Sequence, residues 1–388
     1  MNTQKCLLFV GLDEQQVQDL CNKLTEVQYE KDSVVFSEGD SGDALFIITE
    51  GTLKVTKKMP GDQEVVVAKL KEGDFFGDMA LLTGAKRTTS CTLETDGKFL
   101  RFDSAVFKDL HQTSLKAYSV IQKNLGRRVS QRLSHTTEEL CYLVSAMMDE
   151  EIDEKLNSEL ITNIIDKCKE EYEKIVTTLQ TPRVSYDDID EMATSAEDFE
   201  VDESHKELQV SFDTLTNSPV FSGLSVDSIK QLRPFFEVHQ LMDKDLVFAE
   251  GGVGRAAYFI KEGKVKISRL GCDDVEVPIA ELGEGEVVGE MSLISAAPRS
   301  AHAEAIKDTV VWRLSAFGFE TLEEKDLDLY TNVLVNLNAI MCERLAKATQ
   351  SAVDAFKELL EIEKADLSEK DCLEKLRKCS QSIFAKYL

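Results

Sequence analysis

The sequence predicts an α+β protein of two tandem jelly-roll β-barrels, each followed by C-terminal helices, and three observations predict it. Phe9, Gly11, Glu38-Gly39, Gly51, Gly73, Arg87 and Arg132-Leu133 return 212 positions later, without a gap, as Phe221, Gly223, Glu250-Gly251, Gly263, Gly285, Arg299 and Arg344-Leu345. Within each copy, short β-branched and aromatic runs are punctuated by glycine. After each copy the apolar spacing changes to three and four residues, the period of a helix.

Each element follows from its own residues. ALFIITEGTLKV and AAYFIKEGKVKI read as two strands joined by a tight turn at Glu-Gly, and KFLRF and TVVWRL add a later strand to each copy. SLKAYSVIQKNLGRRVSQRL and DLYTNVLVNLNAIMCERL then turn helical. Further stripes run through Leu156, Leu160, Ile164, Cys168, Tyr172, Ile175 and Leu179, and through Leu373, Leu376, Ile383 and Tyr387. The expected organisation is a barrel domain at 1–135, a helical tail at 136–181, an acidic linker at 182–210, a second barrel domain at 211–347 and a tail at 348–388. Such tails pack within the chain or pair two chains as a homodimer.

Composition excludes several functions. A formal charge of −26 opposes nucleic acid and anionic membranes, which are held through basic surface. Nine cysteines without a CxxC read as reduced cytosolic thiols, with neither a disulfide framework nor a metal site. No apolar run approaches the roughly 20 residues of a membrane span, and CLLFV lacks the basic flank of a signal peptide, so the expected location is the cytoplasm. The five histidines stand in no nucleophile or ligand motif, and the protein is expected not to be an enzyme.

The chemistry concentrates in FFGDMALLTGAKRTTS, residues 75–90, and VVGEMSLISAAPRSAH, residues 287–302. Each sets a glycine (Gly77, Gly289), an acid (Asp78, Glu290) and a methionine (Met79, Met291) ahead of an arginine (Arg87, Arg299) followed by a hydroxyl (Thr88, Ser300). A guanidinium forks onto phosphate oxygens, a glycine admits close backbone approach, and a short helical turn aims N–H groups at the same anion. The carboxylate then suits sugar hydroxyls.

At these residues the sequence resembles the cyclic-nucleotide-binding domain family, which occurs in tandem in cAMP-dependent protein kinase regulatory subunits and singly in bacterial cyclic-nucleotide receptors. The family's cassette runs Gly-Glu-x-(Ala/Ser)-Leu and then (Pro)-Arg-(Ala/Ser/Thr)-Ala, and Gly289, Glu290, Pro298, Arg299, Ser300 and Ala301 match it in full. The first copy departs: Asp78 replaces Glu, Lys86 replaces Pro, and Thr88-Thr89 follow Arg87. The resemblance implies that the acid binds the ribose 2′-hydroxyl, that the ligand is cAMP or cGMP, and that the second site fills first. It also implies that Leu293 packs on a hinge that moves the C-terminal helices toward a protein effector. Thr88 resembles cGMP-preferring members, and Arg299-Ser300-Ala301 resembles the bacterial cAMP sensors.

Other motifs are set aside. GRRVS at 126–130 spells a basophilic kinase site, but helical periodicity makes it a helix face. In a kinase regulatory subunit the inhibitory segment precedes both barrels, and here the first barrel is expected to start too near Met1 to leave room for one. TGAKRTT lacks the GxxxxGK[ST] spacing of a triphosphate loop, and DDIDEMATSAEDFE lacks the turn glycine of an EF-hand. Ala346 to Leu388 carries eight basic and eight acidic residues, which disfavours a DNA-reading helix-turn-helix. The reading is a non-enzymatic intracellular cyclic-nucleotide receptor. Its alternatives are a ligand-free interaction scaffold with degenerate cassettes and an inhibitor resembling a kinase regulatory subunit.

Overall fold

The computed structural model describes residues 6–58, 64–148, 158–178, 218–271, 275–365 and 367–385. The expected acidic linker, the EF-hand-like run within it, and Leu156, Leu179 and Tyr387 lie outside the described residues. The chain divides into two compact units. The first holds the leading barrel through Val129 together with Glu323–Cys342; the second holds Ser130–Ile175, the trailing barrel through Leu322, and the residues from Glu343.

In the first unit, α1 (Glu14–Cys21) starts at Asp13, whose carboxylate accepts from the Gln16 N–H at 2.8 Å while the Gln16 side chain accepts from the Asp13 N–H at 3.0 Å, a capping box. Eight strands follow: β1 (Thr25–Tyr29), β2 (Val34–Phe36), β3 (Ala44–Glu50), β4 (Leu53–Lys58), β5 (Glu64–Leu70), β6 (Phe75–Phe76), β7 (Ser90–Leu93) and β8 (Gly97–Asp103), with α2 (Asp78–Thr83) between β6 and β7. They make two antiparallel sheets, ordered β1-β8-β3-β6 and β2-β7-β4-β5. The expected jelly roll is present, but β3 and β4 are not hairpin partners: β3 pairs with β8 and β6, β4 with β5 and β7. The Glu50-Gly51 turn carries the chain from one sheet to the other. Gly51 lies at φ 96°, and a Cβ there would stand 2.5 Å from the Asp96 carbonyl oxygen, so only glycine fits.

The core of this unit gathers Leu45, Ile47, Phe75, Leu100 and Phe102 from the strands with Phe107 of α3 (Ser104–Thr113) and Ile121 and Leu125 of α4 (Leu115–Met148). The Asn124 side-chain amide donates to the Leu8 and Val10 carbonyls at 3.0 and 2.8 Å, fixing α4 to the start of the domain.

The second unit repeats the plan with α6 (Val226–Gln231), β9 (Phe236–Leu241), β10 (Leu246–Phe248), β11 (Ala256–Glu262), β12 (Val265–Leu270), β13 (Glu276–Leu282), β14 (Val287–Val288), α7 (Glu290–Ser295), β15 (His302–Ala305) and β16 (Thr309–Ser315). Its sheets run β14-β11-β16-β9 and β10-β15-β12-β13. Phe221, Phe236, Phe259 and Trp312 form a chain of ring contacts through the core, with centroids 5.2–6.2 Å apart.

Helices α8 (Ala316–Lys325), α9 (Leu327–Lys364) and α10 (Glu369–Ala385) follow, and α5 (Ser158–Thr178) occupies the place in the first copy that α10 occupies in the second. The duplication therefore extends into the tails, beyond the stretch that sequence identity marks. Leu373, Leu376 and Ile383 are buried as their stripe predicts, and Tyr172 stacks on Phe356 with centroids 4.1 Å apart. Ser130 lies inside α4, 2% exposed, so GRRVS is a helix face as expected. Glu139 of α4 is buried against α5, and desolvation, then hydrogen bonding with Glu171, pushes its carboxyl up to about 7. Burial pushes the Cys6, Cys141 and Cys168 thiols up to about 12, as inert core thiols require. No described helix is long and apolar enough to cross a membrane.

Candidate functional site

Both cassettes are assembled the same way. β6 and β14 end at Gly77 and Gly289, which lie in the left-handed region at φ 83° and 81° and start the short helices α2 and α7. A Cβ at either glycine would stand 2.5 Å from a guanidinium nitrogen of the cassette arginine. The close approach that sequence assigns to a ligand is thus made first by the chain's own arginine.

Arg87 is 5% exposed and Arg299 4%. The Arg87 guanidinium donates to the Ala44 carbonyl at 2.8 Å and the Gly77 carbonyl at 3.3 Å. Arg299 donates to the Ala256 carbonyl at 2.8 Å and the Gly289 carbonyl at 3.2 Å. Each lies over an aromatic ring, Phe36 at 4.1 Å and Phe248 at 4.2 Å, and this stacking holds the guanidinium plane. Backbone bonds clamp the same segments: Gly39 N–H to the Arg87 carbonyl and Arg87 N–H to the Asp40 carbonyl, with Gly251 and Gly252 playing these parts for Arg299. Burial pushes the Arg87 guanidinium down from its ordinary value, and Asp43, 3.9 Å away, opposes that shift.

The acids face helices. Glu290, 2% exposed, accepts from Arg344 of α9 at 2.7 Å, and the same guanidinium donates to the Val287 carbonyl at 2.8 Å. Asp78 is also buried, and Arg128 of α4 stands 3.6 Å from it while lying 4.1 Å over the Phe75 ring. Arg344 has its register counterpart at Arg132, and Arg128 lies one helical turn before that position.

The remaining predicted residues divide. Met79 and Met291 sit in the first turn after the acid, half-buried, and the Ser300 hydroxyl reaches the Met291 sulfur at 3.7 Å. Thr88 is exposed, while its carbonyl accepts from Lys57 at 3.0 Å. Sequence reading missed Phe36 and Phe248, the Ala44 and Ala256 carbonyls, and the helix arginines Arg128 and Arg344. The two phenylalanines recur at the common offset, and that signal was available.

A barrel that holds a buried guanidinium beside a glycine-capped turn has the make-up of a small-anion-binding module. Residues 26–114 and 238–326 both match the family described as "Cyclic nucleotide-binding domain", and the chain carries two such domains in tandem. A cyclic AMP receptor protein of Thermus thermophilus is 32% identical over 134 residues, 34% of this chain and 60% of that protein. A cAMP-dependent protein kinase regulatory subunit of Yarrowia lipolytica is 40% identical over 76 residues, 20% of each chain. Among solved structures, the cAMP-bound regulatory domain of Toxoplasma gondii PKA overlaps at 17% identity, covering 84% of this chain and 91% of that one, with a TM-score of 0.27.

Proposed function

We propose that the protein is a non-enzymatic receptor for a cyclic nucleotide, cAMP or cGMP, that signals by binding alone. In this reading Arg87 and Arg299 take the cyclic phosphate, Asp78 and Glu290 the ribose 2′-hydroxyl, and Met79, Met291, Thr88 and Ser300 line the cassettes. The supporting observation is the twofold recurrence of a buried guanidinium held by two backbone carbonyls over an aromatic ring. Such a group is costly to bury, and an anionic ligand offsets the cost.

Transmission runs through the helices. Glu290 serves both a ribose hydroxyl and Arg344, so a ligand that draws on Glu290 changes the hold of the cassette on α9. Coupling of this kind amounts to about 1–3 kcal/mol. The tails would present the result to a protein partner, in monomer or homodimer.

Melting scans with cAMP and with cGMP test the reading, because a ligand bound only by the folded form raises Tm. The unmodified chain should be stabilised by one of them, and the Arg87→Ala/Arg299→Ala double variant by neither. Titration should show two phases: Arg299→Ala should lose the tighter phase, by about a hundredfold in affinity, and Arg87→Ala should retain it. No shift with either nucleotide would favour the scaffold reading.

A further inference from the structure

Resting on the receptor reading, we infer that the residue at position 43, and at 255 in the second copy, ranks the two cassettes by setting the charge beside the phosphate arginine. Asp43 and Arg255 occupy the same register position, one residue before Ala44 and Ala256, whose carbonyls hold the two guanidinium groups. A carboxylate in the first copy is thus a guanidinium in the second.

The surroundings follow the inversion. Asp43 stands 3.9 Å from Arg87 and 2.8 Å from Arg101, and Arg101 also pairs with Asp103 at 2.7 Å. The first mouth therefore sets two carboxylates among its arginines. In the second copy Ser315 replaces Asp103, Arg255 turns to Glu320 of α8 at 3.0 Å, and Arg313, the counterpart of Arg101, pairs with Glu237 at 2.8 Å. Glu320 in turn stands where the first copy has Lys108.

Asp43 competes with the phosphate for Arg87 more than it positions Arg87. Its oxygen lies beyond hydrogen-bond distance, whereas two carbonyls already fix the guanidinium. Its side chain is 66% exposed, so its substitution leaves the core intact, and Arg101 keeps Asp103 as partner. What Asp43 contributes is negative charge where a phosphodiester anion must sit.

The test uses the full chain. In an Arg299→Ala background, which reports the first cassette, Asp43→Asn should tighten binding of cAMP or cGMP about tenfold at low salt, with the gain shrinking as salt is raised. In an Arg87→Ala background, Arg255→Asp should weaken the second cassette by a similar factor. Weaker binding in Asp43→Asn would mean that Asp43 orients Arg87, and unchanged binding that its charge is not felt at the cassette; either would overturn the inference while leaving the receptor reading in place. Failure of the unmodified chain to bind either nucleotide overturns both.

Discussion

The first cassette and the second share one arrangement around the arginine and differ around the acid. Arg87 and Arg299 have matching carbonyl partners, matching ring partners and nearly equal burial. Glu290, by contrast, meets Arg344 at 2.7 Å, whereas Asp78 is one methylene shorter and has Arg128, held over the Phe75 ring, at 3.6 Å. Duplication has preserved the surroundings of the arginine and has let the acid, through which each cassette grips a helix, change length.

The largest expected effect concerns that grip. Arg344→Gln leaves the Glu290 carboxylate buried without its charged partner, and should cost about 3–5 kcal/mol in denaturant unfolding. Arg128→Gln should cost less, because its pair is longer and its guanidinium is held also by Phe75. Equal costs would erase the contrast between the copies.

A smaller effect is expected at the ligand. Asp78→Glu restores the missing methylene and should tighten the first cassette by about tenfold, the worth of one recovered hydrogen bond to a charged group. Calorimetry with a 2′-deoxy analogue should remove the gain. The same gain with both ligands would show that the acid does not read the sugar.

The smallest effect separates the tails. The buried pair Glu139 and Glu171 of α4 and α5 is replaced in the second copy by Ser351 and Ile383. Lys174 of α5 also faces the pair, with Glu138 beside it, itself paired to His135 and Arg269. Because the folded Glu139 carboxyl titrates above its ordinary value, the unfolded chain releases this proton first as pH rises. The folded state is therefore progressively disfavoured from about pH 5 up to the folded value and stays so above it. Glu139→Gln should match the unmodified Tm at low pH and exceed it at pH 8; parallel Tm curves would remove Glu139 as the titrating group.

Much of this was legible in the residues. The common offset located both barrels, both cassettes and their arginines, because glycine spacing and strand composition are local properties. The sheet partners of β3 and β4 were not, since a turn that looks like a hairpin says nothing of which sheet receives the next strand. The approach of Arg128 to Asp78 escaped for a similar reason: spacing along a helix does not fix which side chains reach across to a barrel. The charge inversion at 43 and 255 was plain in the sequence, but it acquires meaning only once the next residue's carbonyl is seen to hold the arginine.

The contact between Gly289 and Arg299 also constrains how this cassette can change over generations. A side chain at 289 is opposed by the left-handed backbone, by the guanidinium nitrogen 2.5 Å from where its Cβ would lie, and by the Ala256 carbonyl oxygen 2.8 Å from the same point. While the arginine is present, substitution of the glycine displaces its guanidinium. Loss of the arginine would remove only one of these barriers, because the backbone conformation and the Ala256 carbonyl still exclude a Cβ. The glycine is therefore required by the shape of the turn itself, and its presence in a related chain would report that the turn is kept, whether or not the arginine is.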